Sequence, residues 1–238
     1  MYDHWHTPRV DLLRTLPAAE ERALRRASTA RDYKAGESVF VPSRDPGQVY
    51  VLEEGLVRIF RVTPTGGEFT LGYVRPGELF GDVSVLSEEP RETFAQAKVA
   101  SRILSVPRAA FVATLRAYNP VLYALTKQIA RRVIDLESRA EDLIFLDVRS
   151  RLAQLLLRLA REHGHRDDQG LVIELPLTHE EIATLIGTSR QTVSVLLREL
   201  TDAGLVARRG RQLVLPRPIG LEVLARPADG RHSGSGRT

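Results

Sequence analysis

The segment from Leu177 to Leu200, LTHEEIATLIGTSRQTVSVLLREL, constrains the fold most, because its caps, turn and apolar spacing specify two short helices and the turn between them. Thr178 followed three residues later by Glu181 is a capping box, which starts a short helix with Ile182, Leu185 and Ile186 as its apolar face. Gly187 supplies the turn, and Ala183 is small enough for a second helix to cross closely. That second helix begins near Thr188 and Ser189, both able to cap it. Val193, Leu196, Leu197 and Leu200 then face inward, leaving Arg190, Gln191, Ser194, Val195 and Arg198 on the outer face. Two short helices with a glycine turn and a polar outer face read as a helix-turn-helix.

An ordinary helical hairpin would share this pattern. The exposed first turn argues against it, since Arg190 and Gln191 carry the paired donors and acceptors that match guanine and adenine edges. Downstream, Gly204-Leu205-Val206 and Ala207 to Leu215 read as a hairpin with a basic tip, a wing whose Arg208, Arg209 and Arg211 would meet phosphates. From Gly187 to Arg217 six arginines face two carboxylates, an excess equal to the +4 of the whole chain. The positive charge is therefore concentrated on this segment.

Upstream the periodicity changes twice. From Lys34 to Val106, β-rich runs at Val49–Leu52, Leu56–Val62, Phe69–Val74, Phe94–Val99 and Ile103–Val106 alternate with Asp-Pro-Gly, Gly-Gly and Pro-Gly turns, as in a sandwich or barrel. Within Leu56–Val62 the alternation places Arg58 outward, on a wet face. From about Asn119, with Pro120 in the first turn, Leu122, Thr126, Ile129, Val133, Leu136, Ala140 and Leu143 recur at steps of four and three. A narrow seam with charged flanks, including Arg131 and Arg132, favours a parallel homodimer over a helix packed wholly on its own domain. Beyond the Phe145–Val148 hinge, Arg149 to Arg161 is amphipathic through Leu152, Leu155, Leu156 and Leu159, and 162–170 reads as a polar loop. The tail after Leu224 has no apolar content to bury and is expected to be disordered.

Composition removes whole classes. With no cysteine there can be no disulfide, thiolate metal site, cysteine-bound iron–sulfur cluster or cysteine nucleophile. No histidine lies between His6 and His163, so the β-rich region lacks imidazole ligands for haem or metal. His163 and His165 read as solvated, since two imidazoles alone rarely fix a metal. There is no basic, apolar leader and no run of about twenty apolar residues, so neither secretion nor a membrane is expected and the location is read as cytoplasmic. No phosphate loop or nucleophile–base constellation suggests an enzyme.

The order of parts resembles the CRP/FNR regulators over roughly Asp32 to Leu215. Three stretches carry the likeness: Pro76-Gly77-Glu78-Leu79-Phe80-Gly81-Asp82, Phe145-Leu146-Asp147-Val148 and Gly187-Thr188-Ser189-Arg190-Gln191-Thr192-Val193-Ser194. The resemblance implies an α+β fold: an N-terminal arm and helix (1–31), a cyclic-nucleotide-binding-like β-roll or jelly roll (32–117), a long dimerisation helix and hinge (118–147), a winged helix-turn-helix (148–220) and a tail (221–238). It implies a homodimer on a pseudo-palindromic double-stranded DNA operator, with RNA polymerase as partner, acting as an activator or a repressor. Thr178, His179, Thr188, Ser189, Arg190, Gln191, Ser194, Arg198, Arg208, Arg209 and Arg211 are the expected DNA contacts, and His179 is expected to approach a phosphate.

The resemblance also implies an effector site. In cyclic-AMP-binding members a Phe-Gly-Glu motif and a downstream Arg-Ser pair hold the ligand; here Gly81, Asp82, Val83, Ser84, Arg91 and Glu92 occupy those places, and Leu136 and Glu137 those of the base-reading hydroxyl pair. Cyclic AMP or another cyclic nucleotide is thus one expected effector, with no metal, haem or iron–sulfur cluster. The departures leave a second option open, an Asp82–Arg91 salt bridge in an empty pocket of a regulator that acts without effector. Glu92 would repel a phosphate unless its carboxylate turned away. A ligand-sensing module whose winged helix touches protein rather than DNA is the remaining alternative.

Overall fold

A computed structural model describes residues 11, 13–44, 47–64 and 66–225. The chain divides into two compact units, Met1–Ile134 and Asp135–Thr238, with the boundary inside one long helix. The expectation for the tail after Arg226, and most of the N-terminal arm, lies outside the described residues.

The first unit opens with a single 3-10 turn at Leu13–Thr15 and helix α1 (Ala18–Arg26). Strands β1 (Thr29–Tyr33), β2 (Ser38–Phe40), β3 (Gln48–Glu54), β4 (Val57–Val62), β5 (Glu68–Val74) and β6 (Leu79–Phe80) follow. Then come α2 (Asp82–Ser87), β7 (Phe94–Ala97), β8 (Ser101–Pro107), α3 (Arg108–Ala117) and α4 (Asn119–Phe145). The strands form two antiparallel sheets ordered β1-β8-β3-β6 and β2-β7-β4-β5.

The continuous apolar run Val49-Tyr50-Val51-Leu52 explains the layering. Tyr50 and Leu52 join Phe40, Val57, Val74, Phe80, Ala95 and Ile103 in a core fed by both sheets. Val49 and Val51 point the other way, into a second core with Leu24, Phe111, Leu115, Val121, Ala124 and Leu125 from the helices. A strand covered on both faces has no polar alternation to show, and β3 does not.

Several expectations are corrected here. Arg58 is 5% exposed: its guanidinium lies 4.6 Å over the Phe60 ring and donates to Thr70 Oγ1 at 2.8 Å and Glu68 at 2.6 Å. An amphipathic side chain can be covered where its donors are met. Residues 29–31, assigned to the arm, start β1, and three strands (β1, β2, β6) were not anticipated because they are short or polar. The long helix is confirmed at Asn119–Phe145.

The second unit contains α5 (Val148–His163), β9 (Gly164–Asp167), β10 (Gly170–Ile173), α6 (His179–Ile186), α7 (Arg190–Asp202), β11 (Ala207–Arg209), β12 (Gln212–Leu215) and α8 (Pro218–Leu224). Its sheet runs β11-β12-β10-β9. The stretch 162–170 is therefore not a loop: 162 and 163 close α5, and from 164 the chain forms the β9–β10 hairpin, in which Val172 and Ile173 are wholly buried and pair across the ladder with His165 and Gly164. Helix α8 extends to Leu224, so 221–224 belong to the fold and not to the tail.

Candidate functional site

The helix-turn-helix is built as its sequence dictates. Thr178 Oγ1 accepts from the Glu181 backbone N–H at 3.1 Å, while Glu181 accepts from the Thr178 N–H at 2.9 Å. Ala183 is fully buried. Gly187 closes α6 at φ 65°, and an added Cβ there would come within 2.8 Å of Leu143. Position 187 therefore requires glycine on two counts. Of the two candidate caps, Ser189 serves, accepting from the Thr192 N–H at 3.1 Å.

On α7, Val193, Leu197 and Leu200 are buried and Leu196 half-buried, leaving Arg190, Gln191, Val195 and Arg198 exposed. Ser194 is half-buried and donates to Arg190 O at 3.0 Å. Arg208, Arg209 and Arg211 are exposed on the wing, with Gly210 at the β11–β12 turn in the left-handed region at φ 61°. Arg209 has a partner that sequence reading did not supply, Asp167 of β9 at 2.7 Å. That guanidinium holds the Asp167 carboxyl below its ordinary range. His179 does not stand free: its Nδ1 lies 2.7 Å from Ser194 Oγ and its Nε2 2.7 Å from Arg208. Burial, then the cations Arg208 and Arg190, push its pKa down.

The hinge is fastened by two side chains. Asp147 caps α5 by accepting from the Ser150 N–H at 2.8 Å, a contact that holds its carboxyl below the usual range. Arg151 donates to Leu146 O and Ile186 O, each at 2.8 Å, joining the hinge to the end of α6. His163, expected to be solvated, has a largely buried side chain because it ends α5 beside the β9–β10 hairpin, whereas His165 is exposed and paired with Glu174 at 2.8 Å. Among the described residues no group of three or more His, Asp or Glu could hold a metal.

In the roll, Gly81 starts α2 at φ 72°, and a Cβ there would sit 3.1–3.3 Å from Arg91, Tyr50 and Phe40. The Arg91 guanidinium is buried at this point. It donates to Gln48 O at 2.7 Å, Gly81 O at 3.0 Å and Ser84 Oγ at 3.3 Å, and lies 4.2 Å over the Phe40 ring. The ring centroids of Phe40, Tyr50 and Phe80 lie 5.2–6.0 Å apart, with Phe80 stacked on both and Phe40 tilted against Tyr50.

The expected Asp82–Arg91 bridge is not formed. Asp82, 1% exposed, is held by Arg132 of α4, whose Nη1 lies 3.0 Å from both carboxylate oxygens. Arg132 also donates to Leu79 O, and Gln128 one turn earlier donates to the same carbonyl at 2.6 Å. Sequence reading placed Arg132 only as a charge off the seam, since its partner lies fifty positions away and no local pattern links them. Glu92 turns outward and pairs with Arg61 at 2.8 Å; Val83 is exposed and Ser84 buried. Leu136 and Glu137 are exposed on the part of α4 that belongs to the second unit. Along the seam Leu122, Thr126, Val133, Leu136, Ala140 and Leu143 are exposed, but Ile129 is half-buried against the roll's helical core.

A cyclic-nucleotide-type roll joined through a long helix to a winged helix-turn-helix defines a DNA-binding regulator. Residues 30–118 match the family model of the cyclic nucleotide-binding domain, and 150–224 that of the Crp-like helix-turn-helix domain. The chain is 37% identical over 177 residues to the cyclic AMP receptor protein of Thermus thermophilus, covering 74% of this chain and 78% of that one. It is 31% identical over 184 residues to the CRP-like cAMP-activated global transcriptional regulator of Mycobacterium tuberculosis, covering 77% and 82%. The solved structure of the c-di-GMP-responsive global regulator CLP of Xanthomonas campestris superposes with a TM-score of 0.71 at 27% identity, covering 84% of this chain and 99% of that one. The chain belongs to the CRP/FNR family of transcriptional regulators.

Proposed function

We propose that two copies associate through the α4 seam and set their α7 helices into successive major grooves of a pseudo-palindromic operator, about one helical turn apart. The observation that carries this reading is the row of exposed apolar residues, Leu122, Val133, Leu136 and Leu143, on a helix whose first turns already bury Val121, Ala124 and Leu125 in the roll. Contiguous exposed apolar surface of this kind marks an interface. Arg190 and Gln191 read base edges, Arg208 and Arg211 meet phosphates, and the complex acts with RNA polymerase in the cytoplasm.

Selection of bound duplexes from random DNA with the full chain tests the reading. Arg190→Ala is expected to cost about 1–3 kcal/mol and relax one position of the recovered site, whereas Arg208→Ala weakens all sequences alike and flattens the salt dependence by about one phosphate. Unchanged selectivity in Arg190→Ala would remove it as a base reader. Gln191 pairs naturally with adenine, so an adenine is expected next to the position that Arg190 reads.

We also propose that the operator is bound without a cyclic nucleotide. The cation that would hold a cyclic phosphate, Arg91, already has two carbonyls and a hydroxyl, and Asp82 already has Arg132. An incoming phosphate would have to displace bonds that are charge-assisted and buried. Calorimetry with cyclic AMP and cyclic GMP is expected to give no saturable heat, and operator binding to be the same with and without them. A saturable heat together with a change in operator affinity would overturn this reading.

A further inference from the structure

The three DNA-facing elements of the second unit meet at one imidazole. Arginine can only donate, so the 2.7 Å contact from Arg208 requires His179 Nε2 to be the acceptor. The ring is then neutral with its proton on Nδ1, which donates to Ser194 Oγ at 2.7 Å. Ser194 in turn donates to Arg190 O at 3.0 Å. A single directed chain thus runs from the wing (Arg208), through the first residue of α6 (His179), to Ser194 of α7 and, one turn back, Arg190 at its start.

We propose that His179 is a positioning residue for DNA binding: its neutral imidazole holds the Arg208 guanidinium against α7, so that wing and recognition helix engage the duplex as one surface. The inference rests on the reading of Arg208 as a phosphate contact. A long arginine on a hairpin tip loses side-chain freedom when it meets a phosphate, and an acceptor that fixes it beforehand lowers that cost. The charged groups around the ring are Arg208 of the wing and Arg190 of α7, both cations. They and the burial of the ring favour the neutral form, so the acceptor is present at neutral pH and is lost as pH falls through the imidazole's titration. Once protonated, Nε2 would face a guanidinium with no lone pair to offer.

Full-length protein and the duplex recovered by selection provide the test. His179→Ala is expected to weaken binding about fivefold and Arg208→Ala, which also loses the phosphate contact, by more, with the double variant no weaker than Arg208→Ala because His179 acts through Arg208. His179→Gln, whose amide oxygen can stand as an uncharged acceptor for the Arg208 guanidinium, is expected to recover part of the affinity. It is also expected to abolish the fall in affinity that the unaltered protein should show on acidification, as its imidazole takes up a proton. Additive losses, affinity that rises in acid, or a His179→Gln variant as weak as His179→Ala would each overturn the proposal. Nitrogen-15 NMR of the free protein separates this from any failure of the phosphate reading. The imidazole should be the Nδ1-protonated tautomer and shift towards the Nε2-protonated form in Arg208→Ala; an Nε2-protonated ring in the unaltered protein would refute the relay.

Discussion

Leu136→Glu is expected to yield a folded monomer that no longer holds its operator. In the isolated chain Leu136 is 54% exposed, so a carboxylate there disturbs little and should change the stability of one copy by no more than about 0.5 kcal/mol. In a parallel two-stranded seam the same position faces its own counterpart. Two carboxylates would then be brought together in an apolar stripe, with nothing to neutralise them. Loss of the second copy removes half the base and phosphate contacts and the gain from tethering two half-sites, so operator affinity should fall at least about 100-fold. Sedimentation and fluorescence anisotropy read the two effects separately. Should Leu136→Glu sediment as a dimer, the seam is not the interface; Glu137→Ala, one position off the stripe, is the control and should retain both properties.

The second large effect concerns stability. Arg132→Leu should destabilise the first unit by about 3 kcal/mol, because it leaves the carboxylate of Asp82, 1% exposed, without its cation. The guanidinium itself is 36% exposed, so the loss should lie at the low end for a broken buried pair. Adding Asp82→Asn in the same chain removes the stranded charge and should recover part of the loss. Urea melts of the two variants decide it: if Arg132→Leu melts like the unaltered protein, Asp82 is satisfied without α4. The same variant leaves Arg91 untouched, so a gain of cyclic-nucleotide binding in Arg132→Leu would identify the Arg132 contact, rather than Arg91, as what keeps the ligand out.

How much could be read in advance follows the range of each interaction. The capping box at Thr178 and Glu181, the turn at Gly187 and the alternation of buried and exposed positions on α7 depend on neighbours within four residues, and all were legible. The β-rich region was legible as a class. Its strand Val49–Leu52 was found by its apolar content, but which face each residue takes depends on the helices behind the sheet. Contacts between distant elements left no trace in spacing. Arg132 reaches Asp82, Arg58 is covered by Thr70 and Glu68, and Arg209 finds Asp167, each by virtue of a fold that local pattern cannot specify. His163 and the β9–β10 hairpin were misread for a related reason: a polar stretch paired to a buried strand looks like a loop until its partner is known.

Helix α4 gives its first turns, Val121, Ala124 and Leu125, to the core of its own roll, and in the proposed dimer its exposed Val133, Leu136 and Leu143 face a second copy. In that dimer one helix serves two cores, and folding and assembly draw on the same backbone. By mass action the thermal midpoint of such a protein climbs with its own concentration. A cell that makes little of this regulator would hold it in a less durable form than one that makes much, so abundance sets persistence as well as occupancy.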